Sequence, residues 1–512
     1  MTAPKEMEVK LEVAPARVAS LEKIPLVRAL KARPRRTTEI SVYFDTDKHK
    51  LRKKGLLLRV RRIGNRYIQT IKANGKAGLL ERSEWETEIS GEQPDLNLAE
   101  GTALAPLVNG KLRRRLRPQF ETRVQRTTYP LADDRRAIAL TIDRGKIDTG
   151  TRSAPLCEIE LELKRGNATE LFDVARELSA ALAAQLAFKS KSERGYELVT
   201  DARDVPVKAA PVHIAAGMSA RDGFGTIGRA CFRQIVDNEA ALLQGDPEGV
   251  HQMRVGLRRL RAAMSLFADL LRDSQSAALK AELKWLAREL TPARELDVLM
   301  SRAVAPVKKR RARWTGISPI SHEFAEQRAA ALARAQNAVK SARFRALTID
   351  VAEWLETGQW LEPQDDLVRD RGDLPIETAA VAQLQRRWRK VRKRGKALAQ
   401  LNVRRRHKLR IQAKKLRYAA EFFADLFAGK RAAKRREHFL AALKRLQDGL
   451  GDLNDIAVHE DLIAAMARRR ASRKLAFAAG LLTGREDARI SLAMAAATKA
   501  HAKLARRKPF WR

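Results

Sequence analysis

Several segments in the first two hundred residues alternate charged with apolar side chains. Acidic pairs two residues apart occur near the start and again far along the chain, at Glu6, Glu8, Glu158 and Glu160. Alternate residues of a β-strand share one face, so each pair presents two carboxylates side by side. Carboxylate oxygens are the ligands that Mg²⁺ or Mn²⁺ prefers. Beside cations, such a pair is suited to metal-assisted phosphoryl chemistry.

Cations follow the same alternation. Lys10 continues the Glu6-x-Glu8 segment, and Arg59 and Arg61 lie two residues apart on another segment. The alternation alone also fits an antiparallel sheet with one solvated face. However, Glu is depleted in ordinary strands, and the acidic and basic segments lie far apart in sequence. If the sheet closes with its polar residues inside, these faces line one tunnel. Carboxylates would then hold a cation there, and Arg and Lys would clamp phosphoryl oxygens.

Beyond about residue 218 the apolar spacing predicts helices, and this half contains an internal repeat. The segment from His251 to Arg261 matches the segment from His407 to Arg417, with bases at the third, seventh, eighth and tenth positions after each histidine. About forty residues later each copy has a second related segment, beginning at Leu290 and at Leu450. The repeat predicts two equivalent helical substructures.

Each repeat places its histidine and three bases near one stripe of a helix. The two stripes are His251, Arg254, Arg258 and Arg261, and His407, Arg410, Lys414 and Arg417. Either stripe alone could be a solvated charged face. Neither stripe has acids between its bases, so the like charges repel one another. A bound polyanion would relieve that repulsion. Protonation of the two histidines near pH 6.5 is expected to strengthen the binding.

Composition supports a polyanion ligand without identifying it. The 512 residues include 102 Lys and Arg against 61 Asp and Glu, a formal charge of +41. Residues 1–200 hold 39 bases and 27 acids, so most of the excess lies in the helical half. The two cysteines, Cys157 and Cys231, cannot form a disulfide framework. No apolar run reaches the ~18 residues of a membrane span, so we expect a cytoplasmic protein without a membrane partner.

The ordered motifs of the first two hundred residues resemble those of CYTH domains, the triphosphate tunnel metalloenzymes. They are Glu6-x-Glu8-x-Lys10, Arg59-x-Arg61, Thr70-x-Lys72, Arg126, Asp143-x-Gly145, Glu158-x-Glu160 and Ser190-Lys191. The resemblance implies an eight-stranded antiparallel tunnel barrel with helices, which binds a triphosphate with Mg²⁺ or Mn²⁺. It implies the metal ligands Glu6, Glu8, Glu158 and Glu160, and the catalytic residues Glu6, Glu8 and Lys10. The implied phosphate-binding residues are Lys10, Arg59, Arg61, Lys72, Arg126 and Lys191.

The helical half resembles the CHAD domain in its two His-x-x-Arg stripes and in its Leu290 and Leu450 segments. The resemblance implies an all-α bundle of two repeats that binds inorganic polyphosphate through the two stripes. The first copy has Thr291-Pro292 where the second has Gly451-Asp452, which leaves the geometry of an expected loop open. We therefore expect a multidomain α+β protein with the CYTH domain at residues 1–203, a linker at 204–218 and the CHAD domain at 219–508.

These features favour an inorganic triphosphatase that also binds polyphosphate. Two alternatives remain: a polyphosphate-targeting protein with little catalysis, and a CYTH enzyme acting on an organic substrate such as thiamine triphosphate or ATP. The first half has a single tryptophan, Trp85, with which to stack an organic ring. Nucleic acid is a weaker candidate partner, because the basic half has no ribonucleoprotein motif, zinc finger or basic zipper.

Overall fold

A computed structural model of the protein describes residues 7–30, 33–73, 83–310, 316–469 and 472–511. The chain forms two compact units. The first unit combines the residues up to Val205 with the later segment Lys340–Gly358, and the second contains Pro206–Val339 and Gln359–Arg512. Within the described ranges, no helix is both long and apolar enough to cross a membrane.

The first unit is built on one antiparallel sheet, in the order β5-β4-β3-β2-β6-β7-β8-β1-β9. Its strands are β1 Met7–Glu12, β2 Arg35–Asp45, β3 Leu56–Ile63, β4 Arg66–Ala73, β5 Ser83–Ile89, β6 Arg117–Ala132, β7 Ala137–Asp148, β8 Ser153–Arg165 and β9 Gln185–Ala187. The predicted antiparallel sheet domain is confirmed, but the described residues form nine strands rather than eight. The additional strand, β9, has three residues and pairs with β1.

Strand alternation separates a polar inner face from an apolar outer face. In β3, Leu56, Leu58 and Val60 are buried in an apolar core outside the sheet, while Arg59 and Arg61 line a cavity on the other face. Residues of β5 and β9, the two edge strands, line that same cavity. The sheet therefore curls around a charged interior, as the tunnel hypothesis requires.

Helices cover the apolar face of the sheet. They are α1 Pro15–Val18, α2 Pro25–Arg28, α3 Lys50–Lys53, α4 Gly110–Arg115, α5 Ala168–Leu182 and α6 Lys191–Val199. A capping box of Asn167 and Glu170 begins α5. The later helix α13, Ala342–Thr357, packs against α5 and belongs to this unit. Arg176 of α5 pairs with Asp350 at 2.9 Å and also with Glu353.

The second unit is all-helical in its described residues, which confirms the predicted class of the C-terminal half. Its helices are α7 Ala220–Val236, α8 Glu239–Leu243, α9 Pro247–Leu266, α10 Ser274–Leu299, α11 Ala305–Arg310, α12 Ile317–Lys340, α14 Asp366–Asp373, α15 Ile376–Arg394, α16 Val403–Phe422, α17 Lys430–Arg469 and α18 Arg473–Ala505.

The sequence repeat corresponds to two helix pairs. The His251 stripe lies on α9, which packs against α10, and the His407 stripe lies on α16, which packs against α17. The segments that begin at Leu290 and Leu450 lie inside α10 and α17. The expectation of a loop at Thr291-Pro292 is therefore wrong: α10 continues through Pro292.

We predict that Gly145→Ala destabilises the first unit. An alanine Cβ at this position of β7 would lie 1.9 Å from the backbone carbonyl oxygen of Arg123 on β6. Because backbone atoms cannot rotate away, the two strands must separate, at a cost of about 3 kcal/mol. Thermal unfolding of the full chain should show the transition of the first unit shifted to lower temperature. Gly110→Ala is the control, since nothing lies within 4 Å of its Cβ. Equal melting of both variants would contradict the prediction.

Candidate functional site

Six cations selected from the sequence line one cavity inside the curled sheet, which we call the tunnel cavity. Its volume is about 480 Å³. The six are Lys10, Arg59, Arg61, Lys72, Arg126 and Lys191. They come from β1, β3, β4, β6 and the start of α6, so the fold gathers side chains from distant parts of the chain. Such a lining suits a compact anion with several charged oxygens.

Three carboxylates beside these cations form an acidic triad of Asp143, Glu158 and Glu160. Their ligand oxygens lie within 4.8 Å of one another. The strand register explains the grouping, because Asp143 of β7 stands opposite Glu158 of β8, and Glu160 follows two residues later on the same face. An all-oxygen set of this kind fits a hard divalent cation such as Mg²⁺ or Mn²⁺.

Lys191 contacts every member of the acidic triad. Its Nζ lies 2.7 Å from Asp143 Oδ2, 2.5 Å from Glu158 Oε1 and 2.8 Å from Glu160 Oε1. Burial alone would lower the pKa of this lysine, but the three carboxylates raise it well above its usual range. The Lys191 ammonium is therefore charged at every working pH and neutralises part of the triad.

Two further cations hold Glu160 in its ionised form. Lys10 stands directly opposite Glu160 in the β1–β8 pairing and bonds to it, and Arg126 Nη2 lies 3.0 Å from Oε2. Burial by itself would raise the pKa of this carboxyl, yet Lys10, Lys191 and Arg126 hold it well below its usual range. Arg126 also makes a two-pronged contact with Asp143, at 2.8 and 2.6 Å.

The other predicted metal ligands have different positions. Glu8 lines the tunnel cavity, and its carboxylate lies 2.6 Å from Lys10 Nζ, but it is not part of the acidic triad. Glu6 lies outside the described residues. On the opposite wall, Glu84 and Glu86 of β5 each lie 3.3 Å from an arginine of β3, Arg59 and Arg61 respectively.

Two buried acids were not selected as site residues from the sequence. Asp143 was noted only within its Asp-x-Gly motif, although its position beside Arg126 in the register makes it central. Glu39 of β2 is 7% exposed, and its carboxylate lies 3.6 Å from Arg126. Burial raises the pKa of Glu39. Glu39 is the only acid among the alternating residues of β2 that precede Asp45, so its strand gave no periodic acidic pattern. Its place beside the site is known only from the strands that pair with β2.

The second unit gathers four predicted cations from its two repeats, and we call them the first basic cluster. They are Arg254 and Arg258 of α9 and Arg410 and Lys414 of α16. Burial, together with Arg258, Arg410 and Arg254, lowers the pKa of Lys414 to about 6, while Asp455 opposes that shift. Burial also lowers the pKa of Arg254 to about 10, assisted by Arg258. The four cations therefore share one partly buried region.

The two histidines occupy equivalent places with different partners. His407 Nδ1 lies 2.7 Å from Asn454 Oδ1 on α17. The equivalent neighbour of His251 is Arg294 on α10. Burial and Arg294 lower the pKa of His251 to about 4. The expectation that His251 gains its charge near pH 6.5 is therefore wrong, because its neighbours disfavour the imidazolium.

The last cation of each stripe lies outside the first basic cluster. Arg417 pairs with Glu421 at 2.6 Å and donates to Gln447 Oε1 at 3.2 Å. Arg261 is exposed, and its charge acts on Lys415 rather than on Lys414. Helical spacing predicts in which direction each side chain points from its own helix. The helices packed on either side decide which of these side chains come together.

Comparison with known families agrees with both halves of this description. Residues 4–196 match the model of the CYTH domain, and residues 226–464 match the model of the CHAD domain. The chain is a two-domain protein in which a CYTH domain is followed by a CHAD domain.

Two relatives are similar to parts of the chain. An inorganic triphosphatase of Haemophilus influenzae is 32% identical over 160 residues, which are 31% of this chain and 45% of that protein. The matched region therefore spans less than half of that relative. The crystal structure of the CHAD domain from the plant Ricinus communis is 26% identical with a TM-score of 0.51, and covers 58% of this chain and 96% of its own.

We predict that binding of a long phosphate polymer to the first basic cluster takes up protons. With a pKa of about 6, Lys414 is mostly neutral in the free protein at pH 7.5, and phosphate oxygens beside it would raise that pKa. Affinity should therefore increase as the pH falls from 8 towards 6. Calorimetry in buffers of different ionisation enthalpy measures the uptake.

Lys414→Met should reduce this uptake, because Lys414 is the member of the first basic cluster whose pKa is lowered to about 6. Lys308→Met is the control, since that lysine is exposed on α11. If Lys414→Met takes up as many protons as the unchanged chain, Lys414 is not the group that titrates.

Proposed function

We propose that the first unit hydrolyses inorganic triphosphate to diphosphate and phosphate with the aid of Mg²⁺ or Mn²⁺. One observation carries the proposal: six cations line one cavity of about 480 Å³, and the acidic triad reaches that cavity through Glu160. A triphosphate needs this combination, because its charged oxygens must be held while a metal compensates the charge that develops. The CYTH domain and the similarity to an inorganic triphosphatase support it.

The acidic and the basic residues of the site would have different roles. Asp143, Glu158 and Glu160 would hold the divalent cation, which as a Lewis acid supplies positive charge for the phosphoryl oxygens and the attacking water. Arg59 and Arg61 face the same cavity and offer planar guanidinium groups to phosphoryl oxygens. Glu6 and Glu8 remain our proposed catalytic and metal-side residues from the family resemblance.

Lys72 adds an ammonium group to the same wall as the two arginines. Burial and the neighbouring Arg59 lower its pKa, while Glu84 opposes that shift. A phosphate in the cavity would favour the charged form of this lysine and gain a third cationic contact. Binding of the anion and protonation of Lys72 therefore support each other.

The lining of the tunnel cavity favours an inorganic substrate over an organic triphosphate. Of the described residues, two aromatic ones line it, Tyr43 and Phe188. The ring of Tyr43 already stacks on Phe120 at 4.5 Å between centroids. Trp85 packs against the apolar core outside the sheet. A base or thiazolium ring would therefore find little stacking surface, and thiamine triphosphate and ATP are the alternatives to test.

We further propose that the second unit binds inorganic polyphosphate through the first basic cluster. Four partly buried cations from two repeats provide a strong field with two nearby acids, Glu295 and Asp455. The CHAD domain supports this ligand. The alternative is that polyphosphate binding is the main function of the chain and that the tunnel cavity turns over slowly. A phosphate-release assay on the full chain distinguishes the two.

We predict that Glu160→Gln lowers triphosphate hydrolysis at least ~10²-fold, because it removes one charge that positions the metal and holds two lysines. The assay measures phosphate released from triphosphate, ATP, thiamine triphosphate and long polyphosphate, with Mg²⁺ and with Mn²⁺. Triphosphate should be the preferred substrate. Glu177→Gln, on the exposed face of α5, is the control. Full activity in excess EDTA would rule out the metal-dependent mechanism.

A second prediction distinguishes the proposed function of the second unit from that of the first. Arg258→Gln combined with Arg410→Gln should weaken binding of long polyphosphate roughly tenfold or more, since each removes a charge-assisted contact. Triphosphate hydrolysis should stay unchanged, because neither residue lines the tunnel cavity. Filter binding and phosphate release on the same preparation measure both effects. Unchanged polyphosphate affinity would show that the first basic cluster is not the binding site.

A further inference from the structure

One stretch of the second unit is more basic than the first basic cluster explains. Between Glu377 and Glu421 the sequence has sixteen Lys and Arg residues and no Asp or Glu. This stretch includes nearly all of α15 and nearly all of α16. Seven of the nine residues from Arg386 to Arg394 are cationic, and the function proposed above uses none of them.

Arg387 is the most unusual cation of α15, because its side chain is buried without an acidic partner. It is 4% exposed, and its Nη2 donates to the backbone carbonyl of Ser265 at 2.7 Å. Its buried Nε has no hydrogen-bond partner in the part of the chain that the structure describes. Burial and the neighbouring Arg386 lower its pKa to about 10. A buried guanidinium is costly unless an anion compensates it.

Lys415 of α16 reaches the same point from another helix. Its Nζ donates to the hydroxyl of Ser265 at 3.0 Å. Burial lowers its pKa, followed by the charges of Arg387, Arg261 and Lys390. Three helices, α9, α15 and α16, therefore bring cations together around Ser265. We call Arg261, Arg387, Lys390 and Lys415 the second basic cluster.

The second basic cluster adjoins the first but is not part of it. Lys414 and Lys415 are consecutive on α16, so they point about 100° apart around the helix axis. On α9, Arg261 lies three residues beyond Arg258, a rise of about 4.5 Å. The two clusters therefore lie on neighbouring faces of α9 and α16, two helices that are in contact with each other.

The clusters also differ in their acids. Glu295 and Asp455 act on cations of the first, whereas among the described residues no acid is one of the neighbours that shift the pKa of Arg261, Arg387, Lys390 or Lys415. The second cluster is thus the less compensated of the two, and an external anion would gain more there per contact.

We propose that the second basic cluster is an additional phosphate-binding subsite, which holds a long polyphosphate chain whose other part occupies the first basic cluster. This inference rests on the proposed polyphosphate-binding function. The ammonium groups of Lys390 and Lys415 supply donors to phosphoryl oxygens, and the charge of Arg387 adds to the positive field around Lys415. A linear, unbranched polyanion can continue from one helix face to the next, and the linked contacts raise its avidity.

Single-stranded nucleic acid is the less favourable ligand for this cluster. Such ligands bind largely by stacking bases on aromatic rings. The aromatic residue of α15 is Trp388, which is 6% exposed and packs against Trp511. Its buried ring offers no face to a base, whereas Arg386, Arg389 and Lys390 on the same helix are exposed to an incoming phosphate.

The test compares Lys390→Gln/Lys415→Gln with the matched control Lys284→Gln/Lys308→Gln, in which two exposed lysines are removed from α10 and α11. Full-length protein is titrated with long-chain polyphosphate and with inorganic triphosphate, in EDTA to limit hydrolysis. The Lys390/Lys415 variant should bind the long chain roughly tenfold more weakly and triphosphate equally well. The slope of log affinity against log salt should fall by about 2, by analogy with DNA.

The outcomes separate this inference from the proposed function. If the unchanged chain binds long polyphosphate and the Lys390/Lys415 variant matches the control, the second subsite is overturned and the first basic cluster stands. If the unchanged chain binds no polyphosphate, both fall. If the variant loses affinity for single-stranded RNA but not for polyphosphate, the cluster serves nucleic acid and the proposal is wrong. Should the double variant melt early, Lys390→Gln alone, at an exposed position, gives the same comparison.

Discussion

Ion pairing within the sheet, and between the sheet and the first residue of α6, is the interaction on which the first unit depends. Lys191 sits among three carboxylates, and Lys10 and Arg126 complete the compensation of Glu160. Buried charges of one sign would be prohibitively costly, so the sheet can curl around a polar interior only if its register brings opposite charges together. The same pairs that make the interior possible also suit it to the metal and phosphate that we propose bind there, because the charges of these ligands can replace those of the paired side chains.

The cations of the second unit are not compensated by carboxylates in the same way. Its basic clusters contain few acids or none, and the cost appears as lowered pKa values, from about 10 for Arg387 to about 6 for Lys414. In the tunnel cavity an incoming anion must compete with resident carboxylates. In the helical unit it meets cations that repel one another, so binding relieves an existing strain. The first arrangement suits selective binding of a small substrate, and the second suits a long polymer held at many weak contacts.

Much of both sites could be predicted from periodicity. Alternation in the strands identified Lys10, Arg59, Arg61 and Lys72, the family resemblance added Arg126 and Lys191, and the repeat identified the four members of the first basic cluster. Other features required partners that no local pattern reveals. Asp143 becomes central only through its register with Glu158. The sequence pattern missed the three-residue strand β9, because so short a segment has no measurable period, and α10 continues through Pro292 because packing outweighs a local preference for termination.

The sequence by itself determined the class of each half, the polar face of the strands, the repeat and the excess of positive charge, because these follow from residue type and spacing along one element. Only the tertiary structure decided which charges meet. It separated Arg261 and Arg417 from their stripes, placed the buried Arg387 beside Lys415, and joined α13 to the first unit. The physical reason is that side-chain direction is a local property, whereas the neighbours that set burial and electrostatic energy come from elements distant in sequence.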